Sequence, residues 1–177
     1  ACPLHKNRTI AVPGDGPADA RIMVIGEAPG QEEDRTGLPF VGRSGKLLTE
    51  LLESAGIRRK DIFITNTVKC RPENNRKPEA EEMATCKRLW LDTQIETIQP
   101  PIIVLVGNTA LQSVLGRTGV TALHGKTIQK EGKTYFITFH PSAALRFQQT
   151  KELMKQDVIQ LKKVIDGMKK QVRLDRY

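Results

Sequence analysis

Residues 21–30, Arg21-Ile22-Met23-Val24-Ile25-Gly26-Glu27-Ala28-Pro29-Gly30, decide the fold. The first half is a short, branched, apolar run without polar alternation, the pattern of a strand buried on both faces of a parallel sheet. The second half breaks into glycine and proline and runs on through Gln31-Glu32-Glu33-Asp34 to Gly37-Leu38-Pro39-Phe40-Val41-Gly42. A strand, then a glycine-rich loop, then a helix is the order in which open α/β sheets build ligand sites, because glycine lets backbone N–H groups approach a ligand closely. The loop has neither Gly-x-Gly-x-x-Gly nor a Gly-Lys-Ser/Thr ending, and its acids Glu27, Glu32, Glu33 and Asp34 repel phosphate. It is expected to hold something other than a nucleoside triphosphate.

Working outward, Asp61 to Asn66 and Ile102 to Gly107 repeat the strand pattern, and 127–129 with 135–138 read as a hairpin turned through Glu131-Gly132. Between them lie helical periods. Ser44 is placed to cap a helix through about Ala55 whose apolar face is Leu47, Leu48, Leu51 and Leu52, with Gly56 ending it. A second spans about Glu79 to Ile98, with Met83, Cys86 and Trp90 on one side, and a third covers Asn108 to Leu115. A final helix from about Lys151 carries Met154, Val158, Leu161, Ile165 and Met168. The first twenty residues are expected to be irregular, with one short helix near Leu4 to Thr9. The alternation predicts a three-layer α/β/α sandwich around a central, mainly parallel, four-stranded sheet, forming a single domain over residues 1–177.

The net charge of +8 favours a polyanionic partner such as nucleic acid over a merely basic surface. No apolar run is long enough to span a bilayer and no leader precedes the first strand, so the expected setting is intracellular, without membrane. Three cysteines, Cys2, Cys70 and Cys86, are too few and too odd in number for a disulfide framework. Cys2 and Cys70 stand among polar residues, where packing is a poor use of a thiol, so a metal or cluster is the better reading. The chain starts at Ala1 and is expected to begin inside a longer gene product.

Three loops leave strand ends with polar side chains: Glu27 to Phe40, Asn66 to Asn75, and His140 to Arg146. In such a sheet they converge on the carboxyl edge. Taken singly each is weak, since a lone histidine is more often structural and Asn66 is a plausible strand terminator.

Together these residues carry a resemblance. Gly26-Glu27-Ala28-Pro29-Gly30 with Glu33-Asp34 and Gly37 to Gly42, then Thr65-Asn66 with Val68-Lys69-Cys70-Arg71-Pro72 and Asn74-Asn75-Arg76, then His140-Pro141-Ser142, resemble the family 4 uracil-DNA glycosylases, the iron–sulfur branch. The resemblance implies a monofunctional repair enzyme that flips uracil out of DNA, hydrolyses its N-glycosidic bond and leaves an abasic site. It implies catalytic roles for His140, Glu27 and Glu33, with Glu27 at base and sugar and Glu33 shaping the loop or the water site. Phe40, Asn66, Glu27, Ala28 and His140 would hold the uracil: Phe40 by stacking, Asn66 by reading the base edge, His140 by facing O2. In parts of the wider superfamily an aspartate orients the attacking water where Ala28 stands here, so a dissociative route with no metal is expected.

Asn75, Ser142, Leu145 and Arg146 would meet the DNA, Leu145 as the wedge filling the vacated stack, and Lys69, Arg71, Arg76 and Lys77 are candidates for phosphate contacts. Cys2, Cys70 and Cys86 would hold a structural [4Fe–4S] cluster, with a fourth cysteine expected just upstream of Ala1. The partner implied is uracil-containing DNA, the protein a monomer, and the place the prokaryotic cytoplasm beside the nucleoid. The alternatives are a broader glycosylase for hypoxanthine and other deaminated bases, and a non-catalytic iron–sulfur protein that only binds DNA.

Overall fold

The apolar runs pair side by side. In the computed structural model, which describes residues 2–174, β1 (Ile22–Gly26), β2 (Phe63–Asn66), β3 (Ile102–Val106), β4 (Thr127–Lys130) and β5 (Lys133–Thr138) form one sheet in the order β2-β1-β3-β5-β4. The first four in that order are parallel, and β4 joins β5 antiparallel. The sheet therefore has five strands where four were expected. Glu131 (φ 50°) and Gly132 (φ 73°) are both left-handed, the tight turn whose twist matches that of the flanking strands, so β4 folds directly back and extends the sheet.

Helices α1 (Gln31–Thr36), α2 (Arg43–Ser54), α3 (Ala80–Cys86), α4 (Asp92–Ile98), α5 (Asn108–Leu115), α6 (Val120–Leu123), α7 (Pro141–Arg146) and α8 (Gln148–Leu174) flank it. Successive strand residues face opposite sides. Val24, Ile64, Val104 and Phe136 meet Leu48 and Leu51 of α2 and Met154, Val158 and Leu161 of α8. Met23, Ile103 and Ile137 meet Leu91, Leu111 and Val120 on the other side. Each such side chain contributes about 1.5–3 kcal/mol by leaving water, and the two covered faces make the three layers. Among the described residues no helix is long and apolar enough to cross a membrane.

Three local expectations are corrected. The stretch after Gly30 is not all loop, because 31–36 wind into α1 and bury Glu33 and Asp34. Both Asp34 oxygens accept the Thr9 N–H, at 2.9 and 3.1 Å, so this carboxylate anchors the lead-in segment, whose own helix shrinks to a 3-10 turn at Pro3–Lys6. Helix α2 starts at Arg43 behind Gly42 and not behind Ser44, since the Glu33 carboxylate already takes the N–H groups of Val41 and Gly42 from outside. A negative group there also suits the helix dipole.

The third correction concerns the helix expected over about Glu79 to Ile98, which is not uniform. Between α3 and α4 the helix widens into a π turn, Lys87–Leu91, in which the Asp92 N–H bonds the Lys87 carbonyl. The wider turn shifts the phase. Leu91 becomes fully buried, while Trp90 stands 58% exposed.

Candidate active site

The sheet order reverses direction around β1, whose neighbours β2 and β3 lie on opposite sides. Ligands in open α/β sheets bind at such a switch point, beyond the carboxyl ends of the strands. All three predicted loops meet there in a cleft of about 540 Å³, lined by Glu27, Ala28, Phe40, Asn66, Asn75 and His140 among others. Across its floor the Thr109 hydroxyl, from the first turn of α5, donates to Glu27 Oε2. Thr109 was missed from sequence. Its position gave part of the signal, since it lies three residues beyond β3 at the same carboxyl edge that Glu27 occupies beyond β1.

Phe40 sits in the left-handed region (φ 53°) with its side chain buried. Such a conformation costs roughly 1–3 kcal/mol for a residue with a Cβ. Glu33 holds it in place: Oε1 accepts the N–H groups of Val41 at 2.9 Å and Gly42 at 2.7 Å, and Oε2 accepts that of Gly30 at 3.1 Å. Charge-assisted bonds of this kind are worth about 1.5–3 kcal/mol each, so together they outweigh the strain. Glu33 is thereby committed to the backbone, and of its two expected roles the geometry fits shaping the loop.

Asn66 ends β2 with 2% of its surface exposed, and its Oδ1 is buried without a hydrogen-bond partner. An unmet acceptor of this kind costs about 1–3 kcal/mol, which is tolerable where a ligand supplies the donor. Gly26 makes room for it. A Cβ on Gly26 would lie 2.4 Å from Phe40 Cζ and 2.6 Å from Asn66 Oδ1. Gly26→Ala is therefore expected to displace the ring and the amide together and to cut turnover by about 10²-fold, the effect of a displacement near 1 Å. Single-turnover kinetics beside a melting curve checks this, and an active Gly26→Ala protein of normal rate contradicts it.

His140 caps α7. The Ser142 backbone N–H donates to its Nδ1 at 3.2 Å, and the Ser142 hydroxyl lies 2.7 Å from the same atom. A backbone N–H can only donate, so Nδ1 is the acceptor and the proton of the neutral ring resides on Nε2. Burial lowers the His140 pKa from the usual 6.5, with Glu27 opposing it. The neutral ring thus persists below the ordinary histidine range. Protonation would place a hydrogen on Nδ1 and break the Ser142 cap that aims the ring, so the single-turnover rate should run level through pH 6.5 and decline only lower; a decline centred on 6.5 contradicts this. Gly107 (φ 89°) leaves the space for His140, because a Cβ there would come within 2.9 Å of His140 Cβ.

The predicted DNA contacts divide. Asn75, Ser142 and Arg146 line the cleft, as do Arg43, for which no role was expected, and Ser44, expected only as a helix cap. Asn75 accepts from Arg71 Nε at 2.8 Å, and Arg76 lines the cleft while paired to buried Glu82 at 2.7 Å. Leu145 and Phe147 project from the end of α7, 43% and 62% exposed. Lys69 is not available to phosphate. It is buried, its ammonium bonded to Thr65 Oγ1 and to the Asn66 carbonyl, each at 2.7 Å. Burial lowers its pKa to about 8 despite the opposing pull of Cys86.

Behind Ala28 lies a second cavity of about 580 Å³, lined by Cys2, Cys70 and Cys86 with Leu4, Val68, Leu89 and Trp90. Burial pushes the Cys86 thiol up, the Lys69 N–H and ammonium pull it down, and Cys70 and Cys2 push it up again. The three thiols are close enough to feel one another. Among the described residues no three His, Cys, Asp or Glu side chains surround one point as a single ion requires. An iron–sulfur cluster spreads its thiolates over separate irons, so an apolar cavity with thiols on several walls fits a cluster better than an ion. Lys69 N–H at 3.3 Å from Cys86 Sγ and Arg8 Nη1 at 3.0 Å from Cys70 Sγ give two sulfurs the donors that thiolates need.

Comparison with known proteins adds what geometry leaves open. The model of the uracil DNA glycosylase superfamily matches residues 13–162. Over 149 residues the chain is 53% identical to the type-4 uracil-DNA glycosylase of Thermotoga maritima, covering 82% of this chain and 77% of that one. It is 44% identical over 165 residues to the type-4 uracil-DNA glycosylase of Archaeoglobus fulgidus, covering 88% and 82%. The type-5 uracil-DNA glycosylase of Pyrobaculum aerophilum is more distant, at 34% over 149 residues, covering 74% and 65%.

Proposed function

The chain belongs to the uracil DNA glycosylase superfamily, and from that premise we propose that it excises uracil from DNA in the manner of the type-4 relatives. The activity, a uracil-DNA glycosylase serving DNA repair, is common to those relatives. The observation that carries the assignment to this cleft is the buried, unpartnered Oδ1 of Asn66, an acceptor waiting for the N3–H of a flipped pyrimidine.

In this reading the uracil stacks on Phe40, with Asn66 accepting from N3–H and donating to O4. The C1′–N1 bond breaks with its electron pair moving onto the ring, and the His140 Nε2–H donates to O2 as charge gathers there. The sugar is left as an oxocarbenium ion. Glu27, oriented by Thr109, offsets that positive charge and takes up the proton of the water that adds to C1′, giving the abasic site. Glu33 and Ala28 hold and line the pocket; Ser142, Asn75 and Arg146 meet the strand, and Leu145 fills the vacated stack. Cys2, Cys70 and Cys86 would hold three corners of a [4Fe–4S] cluster, which supplies a cross-link between the lead-in segment, the 70–78 loop and α3. The protein acts as a monomer on chromosomal DNA, in the cytoplasm of a prokaryotic cell.

The test is release of free base from duplexes carrying one uracil, beside duplexes carrying hypoxanthine, with EDTA present. Uracil release with an intact abasic strand, from brown protein holding about four irons per chain, is the expected result. Strand scission without free base, or tightly bound zinc in place of iron, contradicts it. Hypoxanthine release at a rate equal to that of uracil favours the broader glycosylase.

A further inference from the structure

One buried charge has no part in the chemistry above. Lys69 lies inside the protein between the cleft and the cysteine cavity, and both of its acceptors belong to the end of β2. An ammonium withdrawn from water is unfavourable unless its geometry is good and its partners are fixed. Here they are fixed. The Thr65 hydroxyl directs its own hydrogen to the Pro13 carbonyl at 2.7 Å, so toward Lys69 it presents only an acceptor. The other acceptor is the main-chain carbonyl of Asn66, three residues back, so the side chain closes the 66–69 turn on itself.

The rest of that turn is already tied. Thr67 N–H and Oγ1 both bond the Gly26 carbonyl at 2.9 Å, and Val68 N–H bonds that of Glu27 at 3.2 Å. The Lys69 carbonyl accepts from Val12 N–H at 2.8 Å, and the Lys69 N–H reaches Cys86 Sγ at 3.3 Å. The peptide following Asn66 is held at both ends, its N–H by the Gly26 carbonyl and its C=O by the ammonium, so losing the ammonium frees the carbonyl end to tilt. Rotating it would swing the Asn66 amide, whose Oδ1 has no protein partner of its own to hold it.

We propose that Lys69 is the positioning residue of the base reader: by bonding the Asn66 carbonyl and the Thr65 hydroxyl from the side of the cysteine cavity, it aims the Asn66 amide into the cleft. The proposal rests on Asn66 reading the base. It gives the cysteine lobe a mechanical link to the site that does not require the lobe to touch substrate.

A double-mutant cycle tests it. Lys69→Met keeps the length of the stem and removes the donors, and Asn66→Ala removes the group to be aimed. Lys69→Met should slow single-turnover uracil excision by about 10²-fold, as misplacement near 1 Å does, and weaken inhibition by free uracil, while binding to an abasic-site duplex is unchanged. In the Asn66→Ala background the same substitution should cost almost nothing further, the non-additivity of residues acting through one group. Lys69→Arg, which keeps donors and charge, should recover part of the loss. If Lys69→Met does not fold, Thr65→Val removes one anchor of the ammonium and should show the same non-additivity with Asn66→Ala. Losses that add in full, or a Lys69→Met protein of wild-type rate, overturn the coupling. Wild-type protein that releases no uracil overturns the functional reading and the coupling with it.

Discussion

Asn66→Asp should lose nearly all uracil excision, on the order of 10⁴-fold, the scale reached when a site built around a hydrogen bond is left mispaired. The amide offers uracil an acceptor for N3–H and a donor for O4. Because Oδ1 is buried and unpartnered, the first of these bonds is made without breaking another. A carboxylate keeps the acceptor and loses the donor, and sets an oxygen against O4 in a place where water cannot relieve the contact. Cytosine presents the inverse pattern, an acceptor at N3 and an amino donor at C4, so Asn66→Asp should also gain slow release of cytosine. Asn66→Ala is the control, expected to lose uracil activity and gain nothing. Full uracil excision by Asn66→Asp would move the reading to Asn75, whose own oxygen is already taken by Arg71.

His140→Ala should slow the chemical step by about 10²–10³-fold while DNA affinity stays near normal, since a donor aimed at developing charge acts mainly in the transition state. The cap geometry sharpens the expectation. Ser142 N–H fixes the tautomer with Nε2–H, so the ring is an oriented neutral donor before substrate arrives. His140→Gln, which keeps an N–H donor without the ring, should fall between wild type and alanine. Single-turnover rates at saturating enzyme separate the step from binding, and a His140→Ala rate near wild type would make the ring structural.

Most of the architecture was readable because buried parallel strands leave unmistakable apolar runs: β1 and β3 are buried at every residue, and their ends give the site its address. The three loops could be placed for the same reason. What stayed hidden depends on contacts between distant segments. Nothing local distinguishes Glu33, which grips backbone, from Glu32, which pairs with Arg35 at the surface. Lys69 reads as one more basic residue in a polar loop until the fold buries it. Thr109 becomes a partner of Glu27 only when β3 is laid beside β1. The π turn at Lys87–Leu91 leaves no local mark in the sequence, because a uniform helical period runs through it unbroken.

That departure has a consequence for how such a chain can change over generations. In a regular α-helix residues five apart point about 140° away from each other, so Cys86 and Leu91 could not both face inward; the π turn at Lys87–Leu91 brings them into register, one toward the thiols and the other toward the sheet. The helix therefore serves two interiors at once, and the number of residues between those positions matters more than their identity. Substitutions at exposed Arg88 are open to drift, whereas loss or gain of a single residue there forces a choice between the cysteine cavity and the core. Lineages descended from this chain should vary most at Arg88 and hold the length of the segment constant.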